Sequence, residues 1–189
     1  MGEFLADHTT LQLGGPADQF LTHTDPTTWP DLARAAQGDD KTSFVLGGGS
    51  NTLAADTGFP GTVIRMATRG ITARPLGRDH VEVVAHAGET LGSLVALTVA
   101  EGLSGIEYLG GIPGTVGAAP VHNTGAYGQQ ISDTLTGITA HDWHLATPSS
   151  YTPPTAASAT AAASSSPGPD GGPSSPSPCG SPAAASPRP

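Results

Sequence analysis

The sequence predicts a mixed α/β domain over residues 1–146, followed by a tail that does not fold. Three observations lead there. Strand, helix and strand patterns alternate from Ala17 to Leu46 and run into three consecutive glycines, the mark of a parallel or mixed unit. A second helix pattern, Thr90 to Glu101, follows three short strand patterns. The composition then changes close to His144. Residues 147–189 hold 11 of the 18 prolines, 11 serines and 9 alanines, and no Val, Ile, Leu, Met, Phe or Trp. Such a segment cannot bury enough apolar surface to offset its ordering entropy, so it is expected to be disordered.

The elements follow in order. Ala17 to Thr24 reads as a strand. Pro26 to Ala36 reads as a helix with Asp25 or Thr24 as N-cap and Gly38 just past its end,. Trp29, Leu32, Ala33 and Ala36 share one face of it,. Ser43 to Leu46 is a second strand. Thr62 to Met66, Ile71 to Pro75 and His80 to His86 are short strands. In the second helix Leu91, Leu94, Val95 and Thr98 line one face and Gly102 ends it,. Gly102 to Gly128 is glycine-rich and almost aperiodic, and Ile131 to Trp143 resumes as strand.

Charge and composition exclude several classes. The net charge is −9, and residues 1–146 carry 15 acidic against 6 basic side chains. A basic surface for nucleic acid is not expected. No run of 18 apolar residues is present, so no membrane partner is expected. Met1 to Asp7 has no basic stretch followed by an apolar one, hence no secretory signal,. The single cysteine, Cys179, lies in the tail, which leaves the folded part without a disulfide, a cysteine-based metal site or a thiol nucleophile. A cytoplasmic location is expected.

Two stretches carry candidate chemistry. Gly47-Gly48-Gly49-Ser50-Asn51-Thr52 follows a strand. Glycines there allow backbone N–H groups to approach an anion, and Ser50 and Asn51 add side-chain donors, so a diphosphate can be held without cations. The run is neither a dinucleotide fingerprint, since position 52 is Thr, nor a Walker loop,; a bare flexible turn is the competing reading. The second stretch runs from Gly105 through Gly114 and Pro120 to Gly128. Its glycines and alanines imply close backbone approach. Ile106, Tyr108, Leu109, Ile112 and Val116 imply an ordered wall and not a linker,. His141 and His144 have ligand spacing only on a helix, and the segment reads as strand; no metal site is expected. Glu107 stands beside the wall as structural or polar lining. No nucleophilic triad is visible.

At these loops the chain resembles the UDP-N-acetylenolpyruvoylglucosamine reductases. The matching residues are His8-Thr9-Thr10-Leu11 with Leu13-Gly14-Gly15-Pro16-Ala17, then Leu46 to Leu53, and the wall from Gly105 through Gly114-Thr115-Val116-Gly117-Ala118-Ala119-Pro120 to Asn123-Thr124-Gly125-Ala126-Tyr127-Gly128. The resemblance implies an α+β fold, the two-lobed FAD-binding (PCMH) type of vanillyl-alcohol oxidase-like flavoproteins, truncated here, with lobes at about 1–55 and 56–146. It implies FAD as cofactor, its diphosphate on Gly47 to Asn51 and Thr52. Further cofactor contacts would come from Ile112, Pro113, Gly114, Thr115, Gly117, Ala118 and Ala119, and from Asn123, Gly125, Ala126 and Tyr127. The family takes hydride from NADPH and reduces the enolpyruvyl ether of a UDP-sugar to UDP-N-acetylmuramate, in peptidoglycan precursor synthesis.

The sequence also departs from the family. The Phe-Gly-Tyr-Arg-x-Ser motif that serves substrate binding and catalysis is absent, as is the substrate-binding domain after it, so no catalytic residue is assigned and the chain is expected to be inactive alone. The tail suits a frameshifted reading of the missing segment. Codons for Ser158-Ala159-Thr160-Ala161, read one nucleotide earlier with suitable third bases, spell Phe-Gly-Tyr-Arg, and Ala163 then supplies the Ser. The alternatives are a non-catalytic FAD-binding remnant and an unfolded pseudogene product.

Overall fold

A computed structural model of the chain describes residues 2–37 and 42–152. The first lobe is a parallel three-stranded sheet. It is formed by β1 (Ala17–His23), β2 (Thr42–Leu46) and β3 (Phe59–Met66), with β3 in the middle. The helix α1 (Trp29–Ala36) connects β1 to β2 after a 3-10 turn at Pro26–Thr28. Asp25 caps that turn, accepting from the Thr27 amide and hydroxyl at 2.9 and 2.7 Å. Those two bonds hold its carboxyl below the usual range,. Pro26 starts the turn where a missing N–H costs nothing. Gly38, expected just past the helix, lies outside the described residues.

In β3, Gly61, Thr62, Val63 and Ile64 are all buried. A strand between two parallel neighbours, covered on both faces, is apolar without alternation. The Thr62 hydroxyl donates to Gln19 Oε1 at 3.0 Å, so its burial leaves no orphan,. Leu5, Ala17, Leu46 and Val63 form the core, with Phe20, Ala54 and Phe59 packed on it. This corrects the lobe boundary expected at about residue 55. The glycine-rich stretch after Leu46 is a connection inside the first lobe, and β3 is that lobe's central strand.

The second lobe pairs β4 (Ile71–Leu76) with β5 (His80–Ala85) in an antiparallel hairpin. It packs them beside α2 (Leu91–Ala100). Thr90 caps α2 by accepting from the Ser93 amide at 2.9 Å,. Gly102, at φ +69°, closes it while the Leu103 amide donates back to the Thr98 carbonyl at 2.8 Å,. Leu91, Leu94 and Val95 bury the predicted face against Ile106, Leu109, Ala119 and Ile131. Each such side chain contributes about 1.5–3 kcal/mol. The aperiodic stretch after Gly102 therefore wraps α2. It includes 3-10 turns at Glu107–Leu109 and Ala119–His122 and a short ladder of β6 (Gly125–Ala126) with β7 (Gln129–Gln130).

Two further expectations change. Ile131 to Trp143 is not one strand: Ile131–Asp133 is a 3-10 turn closed by the Gln130–Asp133 capping box, and β8 covers only Ile138–Asp142. Regular structure also continues past 146, because β9 (Thr147–Tyr151) pairs with β8 over its full length. Main-chain pairing, not apolar burial, forms this strand, so composition did not reveal it. The turn between them is built by Asp142, whose Oδ1 accepts from the amides of His144 and Leu145 at 2.9 and 3.1 Å,. The hairpin also does not belong with the second lobe. His141 and Trp143 stack edge-on against Trp29 of α1, and Gln37 Nε2 donates to the Trp143 carbonyl at 2.9 Å. The rest of the expected tail, with Cys179 and Ser158 to Ala163, lies outside the described residues.

Candidate cofactor site

Where β2 ends, the buried Leu46 hands the chain to Gly47-Gly48-Gly49. The turn is held from behind by the N-terminal segment. Gly49 sits at φ +67° with its Cα against the His8 carbonyl, where any Cβ would overlap that oxygen. The Thr10 amide donates to the Gly49 carbonyl at 3.1 Å. His8 is itself fixed, stacked on Phe20 with ring centroids 4.4 Å apart and bonded through Nε2 to Glu3 at 2.8 Å.

The front of the loop faces the wall. A Cβ on Gly47 would stand 2.7 Å from Thr115 Oγ1 and 3.4 Å from the Ala118 methyl; one on Gly48 would stand 3.3 Å from Gly114 Cα. Ser50 Oγ lies 3.4 Å from the Pro113 carbonyl, and Asn51 Nδ2 lies 3.4 Å from His122 Nε2. Two stretches that are 63 residues apart at Ser50 and Pro113 thus run past each other in backbone contact.

The wall is pinned to the start of α2. The Leu91 amide donates to Gly114, Val116 to Glu89 and Gly117 to Ala87, at 3.1, 2.8 and 2.9 Å. Gly117 is a packing requirement, since a Cβ there would stand 2.6 Å from that of Ala87. Glu89 braces the same corner by accepting from the Gly70 and Thr90 amides and from Arg69. The Gly70 amide is the main cause of its carboxyl lying below the ordinary range. Glu107 is structural as well: it takes the Gly105 amide at 2.6 Å, and backbone donors hold its carboxyl low.

The seam is rich in donors that lack acceptors. The N–H groups of Gly48, Gly49, Ser50 and Asn51, and those of Gly114 and Thr115 opposite, reach no acceptor among the described residues. The Thr115 hydroxyl is buried without a partner. Backbone donors from two stretches in contact, with no lysine or arginine among them, suit an anion of the diphosphate kind. Among the described residues, no three His, Cys, Asp or Glu side chains gather as a metal needs. No helix among those residues is long and apolar enough to cross a membrane.

A sequence model of the FAD binding domain family matches residues 17–144. The chain belongs to this family. Curated relatives carry the name UDP-N-acetylenolpyruvoylglucosamine reductase. The protein from Saccharopolyspora erythraea is 47% identical over 137 residues, covering 72% of this chain and 37% of its own length. That from Leifsonia xyli is 44% identical over 135 residues, covering 71% and 36%. The crystal structure of the reductase from Thermus caldophilus superposes with a TM-score of 0.61 at 33% identity, over 79% of this chain and 51% of that one. The chain thus spans a little over a third of the curated relatives' length. The family's fold is the two-lobed FAD-binding one and its cofactor is FAD. The orphaned donors at the glycine loop and the Thr115 hydroxyl fit the cofactor's diphosphate.

The expected contact residues fall into groups. Gly47, Gly48, Ser50, Asn51, Pro113, Gly114, Thr115 and Ala118 meet at the seam. Gly49 faces the N-terminal segment, Thr52 is half-buried beyond it, and Ile112 and Ala119 pack into the second core. The Asn123 amide is engaged internally: its Nδ2 donates to Gln130 at 3.0 Å and its Oδ1 accepts from the Ser132 amide at 3.1 Å. Gly125 and Ala126 pair with β7, and Tyr127 stands 90% exposed at the turn of that ladder. Sequence reasoning about the site missed His8 to Thr10, Ala87 to Thr90 and His122. Of these only His8 to Thr10 carried a signal, as part of the family pattern.

Proposed function

We propose that this chain supplies the FAD-binding part of a UDP-N-acetylenolpyruvoylglucosamine reductase. The reading rests on one observation above the rest: the two glycine stretches singled out in the sequence meet, with amide donors that reach no acceptor among the described residues, in a chain whose curated relatives bear that name. FAD held at this seam would supply the hydride-transfer chemistry of a reductase that uses NADPH to convert the enolpyruvyl ether of a UDP-sugar to UDP-N-acetylmuramate for the cell wall. The residues of this chain have the binding role. Gly48 to Asn51 donate amides to the diphosphate, Thr115 donates its hydroxyl, and Gly114 leaves room for the cofactor between the lobes. Ile112 and Gly117 to Ala119 support the wall, while Gly125 to Tyr127 form an outer rim.

No residue in the sequence matches the Phe-Gly-Tyr-Arg-x-Ser motif. Residues 1–189 by themselves are therefore expected to hold FAD without turning over the UDP-sugar. The test is to purify the chain, record its visible spectrum, and titrate FAD while following flavin fluorescence. A flavin band, or saturable quenching that Gly48→Trp abolishes, supports the reading. A chain that is folded by circular dichroism and takes up no FAD overturns it.

A further inference from the structure

Away from the cofactor seam, the β8–β9 hairpin closes on the first lobe through four aromatic rings. Trp29, the first residue of α1, is the hub. His23, at the end of β1, meets it edge-on with ring centroids 5.1 Å apart. His141 and Trp143 approach it at 5.5 and 6.0 Å and each other at 4.8 Å. Four ring nitrogens of this cluster are buried without a partner among the described residues: His23 Nδ1, Trp29 Nε1 and both nitrogens of His141. His23 is only 3% exposed.

A buried imidazole can do without a partner on one nitrogen while it is neutral. A second proton makes it a cation whose two N–H groups both demand acceptors, and burial without acceptors opposes that charge. We propose that this seam is a proton-controlled latch, in which the hairpin stays docked while His23 is neutral and is released when His23 takes up a proton.

The surroundings favour this assignment. Burial is the main influence on His23 and lowers its affinity for a proton; Asp25, the one carboxylate acting against it, is spent on Thr27. The neighbouring strand presents Met66 opposite His23. On α1 the ionisable pair Asp31–Arg34 is bonded to itself and exposed. From the hairpin come His141, Asp142 and His144, and the carboxylate of Asp142 is held by the turn amides of His144 and Leu145. No acceptor for a proton on His23 Nδ1 stands among them. Because its proton affinity falls on folding, the docked state is fully favoured above the ordinary imidazole range and loses that advantage as pH falls below it.

The chain reports on this seam directly, since Trp29 and Trp143 are its two tryptophans. Intrinsic emission of the full chain is followed from about pH 8 to about pH 5, with far-UV circular dichroism alongside. The expected result is a reversible red shift and loss of intensity at constant secondary structure, absent in His23→Gln and retained in His144→Gln. A flat emission, or a transition that survives in His23→Gln, overturns the proposal. If His23→Gln does not fold, the His23 ring proton resonance is titrated in the unchanged chain. A midpoint shared with the tryptophan emission supports the latch, and a different midpoint overturns it.

Discussion

Gly48 and Gly114 meet backbone to backbone, so closely that a methyl group on the first would stand 3.3 Å from the Cα of the second. One glycine lies two residues past the end of the first lobe's second strand and the other lies on the wall pinned to α2. Their contact brings the free amides of both stretches to one seam.

Gly47 sits under a tighter restriction, 2.7 Å from Thr115 Oγ1 at the position a Cβ would take. Gly47→Val is expected to push the two stretches apart at a cost of about 1–3 kcal/mol. FAD affinity should weaken by roughly 5- to 150-fold. Fluorescence titration of FAD into the variant measures this, and unchanged affinity would remove Gly47 from the site.

Gly49 tests the scaffold behind the site. Its φ of +67° disfavours any side chain, and the His8 carbonyl blocks a Cβ. Gly49→Ala should destabilise the first lobe by about 1–3 kcal/mol. Thermal unfolding by circular dichroism should show a midpoint lower by several degrees, and an unshifted midpoint would contradict the packing.

Thr115→Val separates structure from binding. The buried hydroxyl has no partner among the described residues, so replacing it with a methyl should leave the cofactor-free chain as stable or slightly more stable. If the hydroxyl donates to FAD, the same variant should bind FAD more weakly, by about 0.5–1.5 kcal/mol. Melting curves with and without FAD give both numbers. Equal stabilisation by FAD in the two proteins would deny the hydroxyl a role.

Glu89 predicts an acid limb of stability. Its carboxyl is held below the ordinary carboxylate range, mainly by the Gly70 amide. A depressed carboxylate contributes above its unfolded value, and the contribution fades as pH falls through that value toward the folded one. Unfolding midpoints measured down through this range should drop less steeply in Glu89→Gln than in the unchanged chain. Parallel curves would show that the corner does not depend on the charge.

The outcome for each element follows from what carried its signal. Both helices were legible because their signals are local: Asp25 ahead of Pro26 at the entry to the first, apolar spacing such as Leu91, Leu94, Val95 and Thr98 in the second, and Gly102 at its stop. The two glycine stretches were legible as candidates because glycine runs beside ordered apolar residues imply close backbone approach. The 3-10 turn at Ile131–Asp133 was not legible, because a bond between Gln130 and Asp133 outweighed the strand-like pattern there. Nor was β9, since Thr147–Tyr151 joins the sheet through main-chain bonds that any residue can offer,.

The sequence by itself determined the two helices, the first-lobe strands, the two loops and the family, because caps, periodicity and glycine runs act over a few residues of chain. Only the tertiary structure decided that β3 completes the first lobe and that the β8–β9 hairpin returns to Trp29. It alone brought Gly48 to Gly114 and left the Asn123 amide engaged within the second lobe. These are contacts between residues distant along the chain, set by which surfaces can be buried together, and no local pattern encodes them.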